Sequence, residues 1–341
     1  MRVGATASAL ALGFQLGCGS GPGQGTGAPP PPDLLETGSP APRVTDTASY
    51  LAACEAALGP WPAFDCFDGP EIPITVTNAT GVHVVETSAD LEGGRCDKPA
   101  ISGCWTQNRG GTVYNERGTP FVFTCRTYGD DPLFDQMSVI AWDRESGAAC
   151  FFNTHADGLQ FDGNVVPRPG SMEDLGFFPE RPFWYRFETL GIAPCRACHD
   201  TDPYVRDPWI EQIGVLPDHI PDAPVEPVAI EELAVFSAEW LPPRRLVHPD
   251  AAACMTCHPI GDRLSCLLAQ EAVGRAPAYV PVTDHYRNVW PENRWMSNMD
   301  PAIQLAEFPT EADWDAEFGL AADTIVACCG EDPPEACFSP W

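Results

Sequence analysis

Cys195-Arg-Ala-Cys-His199 and Cys254-Met-Thr-Cys-His258 are the two stretches that decide how this chain is read. Each is a pair of cysteines at a spacing of three, with a histidine directly after the second. Histidine is scarce, 7 in 341 residues, so two accidental placements have odds of roughly 1 in 2000 if positions are independent. Other uses of the four thiols stay open. Two Cys-x-x-Cys knuckles can build a zinc site, although the 56-residue step from Cys198 to Cys254 exceeds the usual gap of about 15–20 residues. Two thiol–disulfide redox pairs would need no histidine and would expect a thioredoxin-like pattern around them. The four cysteines can also belong to ordinary disulfides.

The order Cys-x-x-Cys-His is also the attachment signature of a c-type haem. The thiols add across the two vinyl groups and fix the porphyrin edge to a short turn. The next residue then lies under the iron, where an imidazole becomes the proximal ligand. On this reading the chain resembles the c-type cytochromes and carries two covalent haems c. One is held by Cys195, Cys198 and His199, the other by Cys254, Cys257 and His258.

Residues 1–18 read as a targeting segment outside the fold. Arg2 is the charged start, Val3 to Leu16 is mostly small and apolar, and the segment closes Phe-Gln-Leu-Gly-Cys18. This is similar to a bacterial lipoprotein signal, in which Cys18 becomes the lipidated residue; an ordinary secretory signal is the alternative. Both export the chain, as attachment of c-type haem requires. Residues 19–48 are Gly- and Pro-rich, with no apolar period, and read as a disordered tether between the anchor and a folded body. No other apolar run approaches the ~20 residues of a membrane span, so the membrane is reached through a lipid anchor only.

The charge balance is lopsided: 19 Lys+Arg against 48 Asp+Glu, a formal net charge of -29. Such a surface argues against nucleic acid and anionic lipid as partners and suits a basic redox partner protein. It also serves solubility. With 37 prolines, long helices should be few. Of the 15 cysteines, one is Cys18 and four belong to the two motifs. The even remainder (Cys54, Cys66, Cys96, Cys104, Cys125, Cys150, Cys266, Cys328, Cys329 and Cys337) reads as up to five disulfides in an exported chain. Each side of the motifs can close its own bridges. The simplest pairs are Cys54–Cys66, Cys96–Cys104 and Cys125–Cys150. Neighbouring Cys328 and Cys329 should bond to different partners.

The expected fold is α+β: a β-rich, disulfide-stapled N-terminal domain over 49–185, then a mainly helical, loop-rich dihaem cytochrome c domain over 186–341. A helical pattern opens the first over Ser49 to Leu58. Strand composition follows at Ile72-Pro-Ile-Thr-Val-Thr, Val82-His-Val-Val, Pro120-Phe-Val-Phe-Thr, Ser138-Val-Ile-Ala-Trp and Ala149-Cys-Phe-Phe, with turns at Asn115 and Asp143. The aromatic run Phe177 to Tyr185 suits either a porphyrin wall or a hydrophobic seam. In the second domain, Asp262 to Val273 and Thr310 to Ala327 are helical in pattern, with Thr310 as N-cap.

Cys254 to Ala327 resembles a class I cytochrome c module: haem motif, helix, methionine-bearing loop, terminal helix. The resemblance implies a loop methionine as sixth iron ligand, for which Met296 and Met299 are the candidates. For the first haem, His219, His248 or His285 can supply the distal ligand, or none; His248, six residues before Cys254, is placed to reach it. The leading expectation is a dihaem electron carrier of the bacterial cell envelope and periplasm. The rivals are a peroxidase-like haem oxidoreductase with one open iron, and an envelope binding protein whose haems are structural or sensory.

Overall fold

Asp46 starts the first helix by supplying what its free backbone N–H groups lack. Its carboxylate accepts from Ser49 N at 2.7 Å, and Ser49 Oγ takes the Asp46 N–H at 3.0 Å in return. Helix α1 (Thr47–Leu58) then buries Tyr50, Leu51, Cys54 and Leu58 along one side. The computed structural model describes residues 43–341 except 79–80, 88, 90, 92–95, 97–103, 130–131, 155–158, 180, 193–194, 205–207, 218–224, 256–258, 276–289, 291–293, 295–304, 331 and 341.

Two short strands, β1 (Thr75–Asn78) and β2 (Gly81–Val84), pair as a hairpin. The main sheet is an antiparallel meander of β3 (Arg109–Tyr114), β4 (Pro120–Arg126), β5 (Gln136–Trp142) and β6 (Ala148–Asn153). A short fifth strand, β7 (Glu226–Pro227), joins β6 in parallel. Register sorts the side chains onto two faces. Phe121, Phe123 and Cys125 share one face with Met137, Val139, Ala141, Cys150 and Phe152. Helix α1 and the segment after it cover that face: Trp61 meets Phe121 with centroids 5.5 Å apart and Phe64 meets Phe123 at 5.1 Å. The aromatic run before the first motif packs here too, with Trp184 5.7 Å from Trp61 and Phe183 4.8 Å from Phe161. It is a core seam.

The opposite face is covered by the chain that follows the first motif. Trp142 meets Tyr204 at 6.2 Å, Phe151 meets His199 at 6.0 Å and Trp240 at 5.8 Å, and the Arg126 guanidinium lies 5.7 Å above the Trp209 ring. Gly110 permits this approach, because a Cβ there would lie 2.8 Å from the Ile210 side chain. The main hydrophobic core therefore runs from Val44 through the sheet to Tyr204, Val225, Leu233 and Trp240. Residues 186–240, grouped by composition with the C-terminal part, contribute to it; they carry α3 (Phe187–Ile192), α4 (Pro208–Glu211) and α5 (Ile230–Ala234), preceded by the short α2 (Met172–Leu175).

A second core gathers α6 (Ala252–Met255), α7 (Leu264–Ala272), α8 (Glu311–Cys328) and the pair β8 (Arg244–Leu246) and β9 (Phe338–Pro340) around Leu246, Trp314, Ala322 and Ile325. Thr310 caps α8 as its sequence predicts, accepting from Asp313 N while the Asp313 carboxylate takes the Thr310 N–H at 3.0 Å. No described helix is long and apolar enough to cross a membrane. The mixture of helix and sheet with several disulfides agrees with the α+β expectation.

Five disulfides form: Cys54–Cys150, Cys66–Cys125, Cys96–Cys104, Cys266–Cys329 and Cys328–Cys337. They use the ten cysteines outside Cys18 and the two motifs, and each side of the motifs closes its own. Two of the simplest pairs are corrected. Cys54 joins Cys150 and Cys66 joins Cys125, because α1 crosses over β6 while the turn at Cys66 sits against β4. Sheet register, not sequence proximity, sets the partners. Cys328 and Cys329 do take different partners, since consecutive helical residues point about 100° apart. Five disulfides mark a chain folded in an oxidising compartment outside the cytoplasm.

Tyr50 ties α1 to the sheet: its hydroxyl accepts the Phe151 backbone N–H at 3.1 Å. Tyr50→Phe strands that buried donor and should cost about 1–3 kcal/mol. A lower urea midpoint at unchanged slope is the readout.

Candidate functional site

The first Cys-x-x-Cys-His motif follows α3 (Phe187–Ile192). The Cys195 carbonyl accepts from both Cys198 N at 3.2 Å and His199 N at 3.0 Å, which folds Cys195, Cys198 and His199 into one tight turn. Arg196, between the cysteines, points inward and is 1% exposed. Its guanidinium donates to the Trp240 carbonyl at 2.8 Å and the Val225 carbonyl at 2.6 Å. Desolvation pulls its pKa down to about 10, which leaves it charged at neutral pH. This fork mounts the turn on the segments that border the sheet. Arg196→Leu removes two charge-assisted bonds and should destabilise by about 3–5 kcal/mol. Arg196→Lys should recover little of it, since an ammonium cannot span both carbonyls. Thermal melts of the three proteins decide this.

Burial pushes the His199 imidazole down to about 4, against the opposing pull of Asp202 and of the backbone carbonyls of Pro203 and Asp202. The ring is thus neutral at physiological pH, the form that ligates metals. The buried Nδ1 finds no hydrogen-bond partner among the described residues. A buried, neutral imidazole with an unpartnered nitrogen has the chemistry a metal-ligating histidine needs, with the ring placement interchangeable by a half-turn. Arg126 Nε and Trp209 Nε1, next to one another on the same side of the sheet, are also buried donors without an acceptor among the described residues. Such a pair suits an anionic group brought in by a ligand.

The thiols narrow the choices. Desolvation pushes Cys195 up to about 12, and Cys198 and Cys254 up to about 11. They stay protonated at neutral pH, opposite to the lowered values of redox-active pairs. None of the three enters a disulfide. Among the described residues no three His, Cys, Asp or Glu side chains are gathered to hold a metal ion. Cys195, Cys198 and Cys254 therefore do not converge on one zinc site.

Cys254 of the second motif is buried in α6 against α8. Cys257 and His258 lie outside the described residues, as do Cys18, His219, His285, Met296 and Met299. His248 caps the turn that leads into α6: its Nδ1 accepts from Asp250 N at 3.3 Å and lies 4.0 Å from the Asp250 carboxylate. Arg275 and Arg294 both precede the candidate methionines Met296 and Met299 in the chain. Arg275 pairs with Asp315 at 3.1 Å, and Arg294, 2% exposed, pairs with Glu311 and lies 5.0 Å over the Trp314 ring. Both arginines are thereby fastened to the first half of α8.

Sequence reasoning missed Arg196, Asp200, Thr201 and Ser265. Arg196 sits at a position the motif leaves unspecified, and a buried arginine has no local signature. Asp200 and Thr201 follow the first motif directly, and only that adjacency could have drawn attention to them. In comparisons with known proteins the chain matches no protein-family model, no curated sequence and no solved structure.

Proposed function

We propose that the chain is an exported c-type cytochrome with two covalent haems that carries electrons in the bacterial cell envelope. The carrying observation is the division of the cysteines. Ten pair into disulfides among themselves, whereas Cys195, Cys198 and Cys254 of the two motifs stay outside any disulfide. The neutral, half-satisfied His199 beside Cys195 and Cys198 adds to it, and Arg126 with Trp209 offers donors for a propionate. Haem iron supplies a one-electron couple whose potential depends on axial ligand and burial. The chain's residues bind and orient that group: Cys195 and Cys198 through thioethers, His199 as proximal ligand, and Arg196 by holding the turn rigid. Cys254, Cys257 and His258 do the same at the second motif.

A net charge of -29 supports basic redox proteins as donor or acceptor, with association that weakens as salt rises. Cys18 supports a lipid anchor, joined to the folded body by residues 19–48.

The test is intact mass and absorbance of the chain matured in a host able to attach c-type haem. Two haems per chain, with a reduced spectrum unmoved by carbon monoxide, are expected of a carrier. A carbon monoxide shift in one haem would favour the oxidoreductase reading, and a colourless chain would end the cofactor reading.

A further inference from the structure

We propose that Asp200, Thr201 and Ser265 clasp the first motif's turn to the segment that directly follows the second motif, so that the two haems sit close enough to interact electronically. The inference rests on the dihaem reading and adds the coupling between its two sites. Asp200 directly follows His199, and Pro259 directly follows His258. Thr201 Oγ1 donates to the Pro259 carbonyl at 2.8 Å, across a separation of 58 residues. Ser265 Oγ donates to Asp200 Oδ2 at 2.9 Å and accepts from Gly261 N, also at 2.9 Å. Asp200 and Thr201 are both 0% exposed. Position 261 must be glycine, because a Cβ there would lie 2.0 Å from Asp200 Oδ2. Ile260 is held from its other side, its carbonyl accepting from Leu246 N at 2.8 Å.

The consequence follows from chain geometry. One peptide step of 3.8 Å separates each motif histidine from a clasp residue. The first motif's turn and the segment after the second motif cannot part without breaking two partly buried hydrogen bonds and exposing a buried carboxylate. Two chromophores fixed this way share their optical transitions. A charge placed on one iron also acts on the other with Coulomb strength that grows as their separation shrinks. The clasp residues would act through the backbone next to the motif histidines; they are positioning residues.

The experiment uses the full chain matured with haem, read by Soret circular dichroism, potentiometric titration and intact mass. The wild type should show a bisignate Soret couplet and two separated reduction waves. Cys254→Ala with Cys257→Ala should leave one haem, no couplet and one wave. Thr201→Val with Ser265→Ala should keep both haems by mass while the couplet falls at least twofold and the waves draw together; Thr201→Ser should retain the couplet. If the double variant fails to mature, Ser265→Ala alone serves, with a smaller fall expected and an unchanged couplet overturning the inference. Two haems without a couplet in the wild type overturn the clasp and leave the cofactor reading standing. A chain without haem overturns both.

Discussion

If the proposed dihaem reading holds, replacing Cys195 and Cys198 together by alanine should halve the haem content of the mature protein, from two per chain to one. The expectation follows because neither thiol belongs to a disulfide, and the turn they sit in is held by backbone bonds and by Arg196. The variant should therefore be secreted and folded, with all five disulfides intact. Intact mass then reads the loss of one haem, and the Soret absorbance per chain falls by about half, as scales with chromophore number. The other uses of the thiols predict different results. A zinc site would lose metal and keep the same lack of colour, and a redox pair would lose thiol–disulfide exchange activity. Cys96→Ala with Cys104→Ala serves as the control, since that pair closes a local bridge and should leave both haems in place.

The second large effect belongs to the scaffold. Cys54 and Cys150 close a loop across a separation of 96 residues, joining α1 to β6. By loop-closure entropy, replacing both with alanine should cost about 4–5 kcal/mol, against about 2–3 kcal/mol for the Cys96–Cys104 bridge. The latter spans a separation of only 8. A domain has about 5–15 kcal/mol to lose, so the first variant should be near unfolding at 37 °C while the second folds. Urea titrations of both, with the remaining disulfides verified by mass, decide it. Equal midpoints would show that the long bridge adds no more than the local one and that α1 is held by its apolar contacts alone.

The strands illustrate where reading residues succeeds and where it stops. β4, β5 and β6 were legible because Pro120 to Thr124, Ser138 to Trp142 and Ala149 to Phe152 are dense in apolar and β-forming side chains. β3 was not, since Arg109-Gly-Gly-Thr-Val-Tyr looks like a loop. Its glycines are there because Ile210 and Phe123 press against the strand, a demand made by residues 100 and 12 positions away. β7, two residues long, exists only because Val228 and Glu226 bond across to Ala149 and Gly147.

What this chain's residues settle unaided is local chemistry. The two Cys-x-x-Cys-His motifs, the even set of ten other cysteines, the Thr310 cap and the acidic composition are each read from residue counts or from neighbours within a few positions, so spacing and composition carry them. The partners of Cys54 and Cys66, the wrapping of one sheet face by the chain after His199, and the meeting of Thr201 with Pro259 were decided by tertiary structure. Each needs two segments brought together from 58 to 96 positions apart. Contacts of that reach are fixed by strand register and by which face each element covers, and no short stretch of sequence contains both.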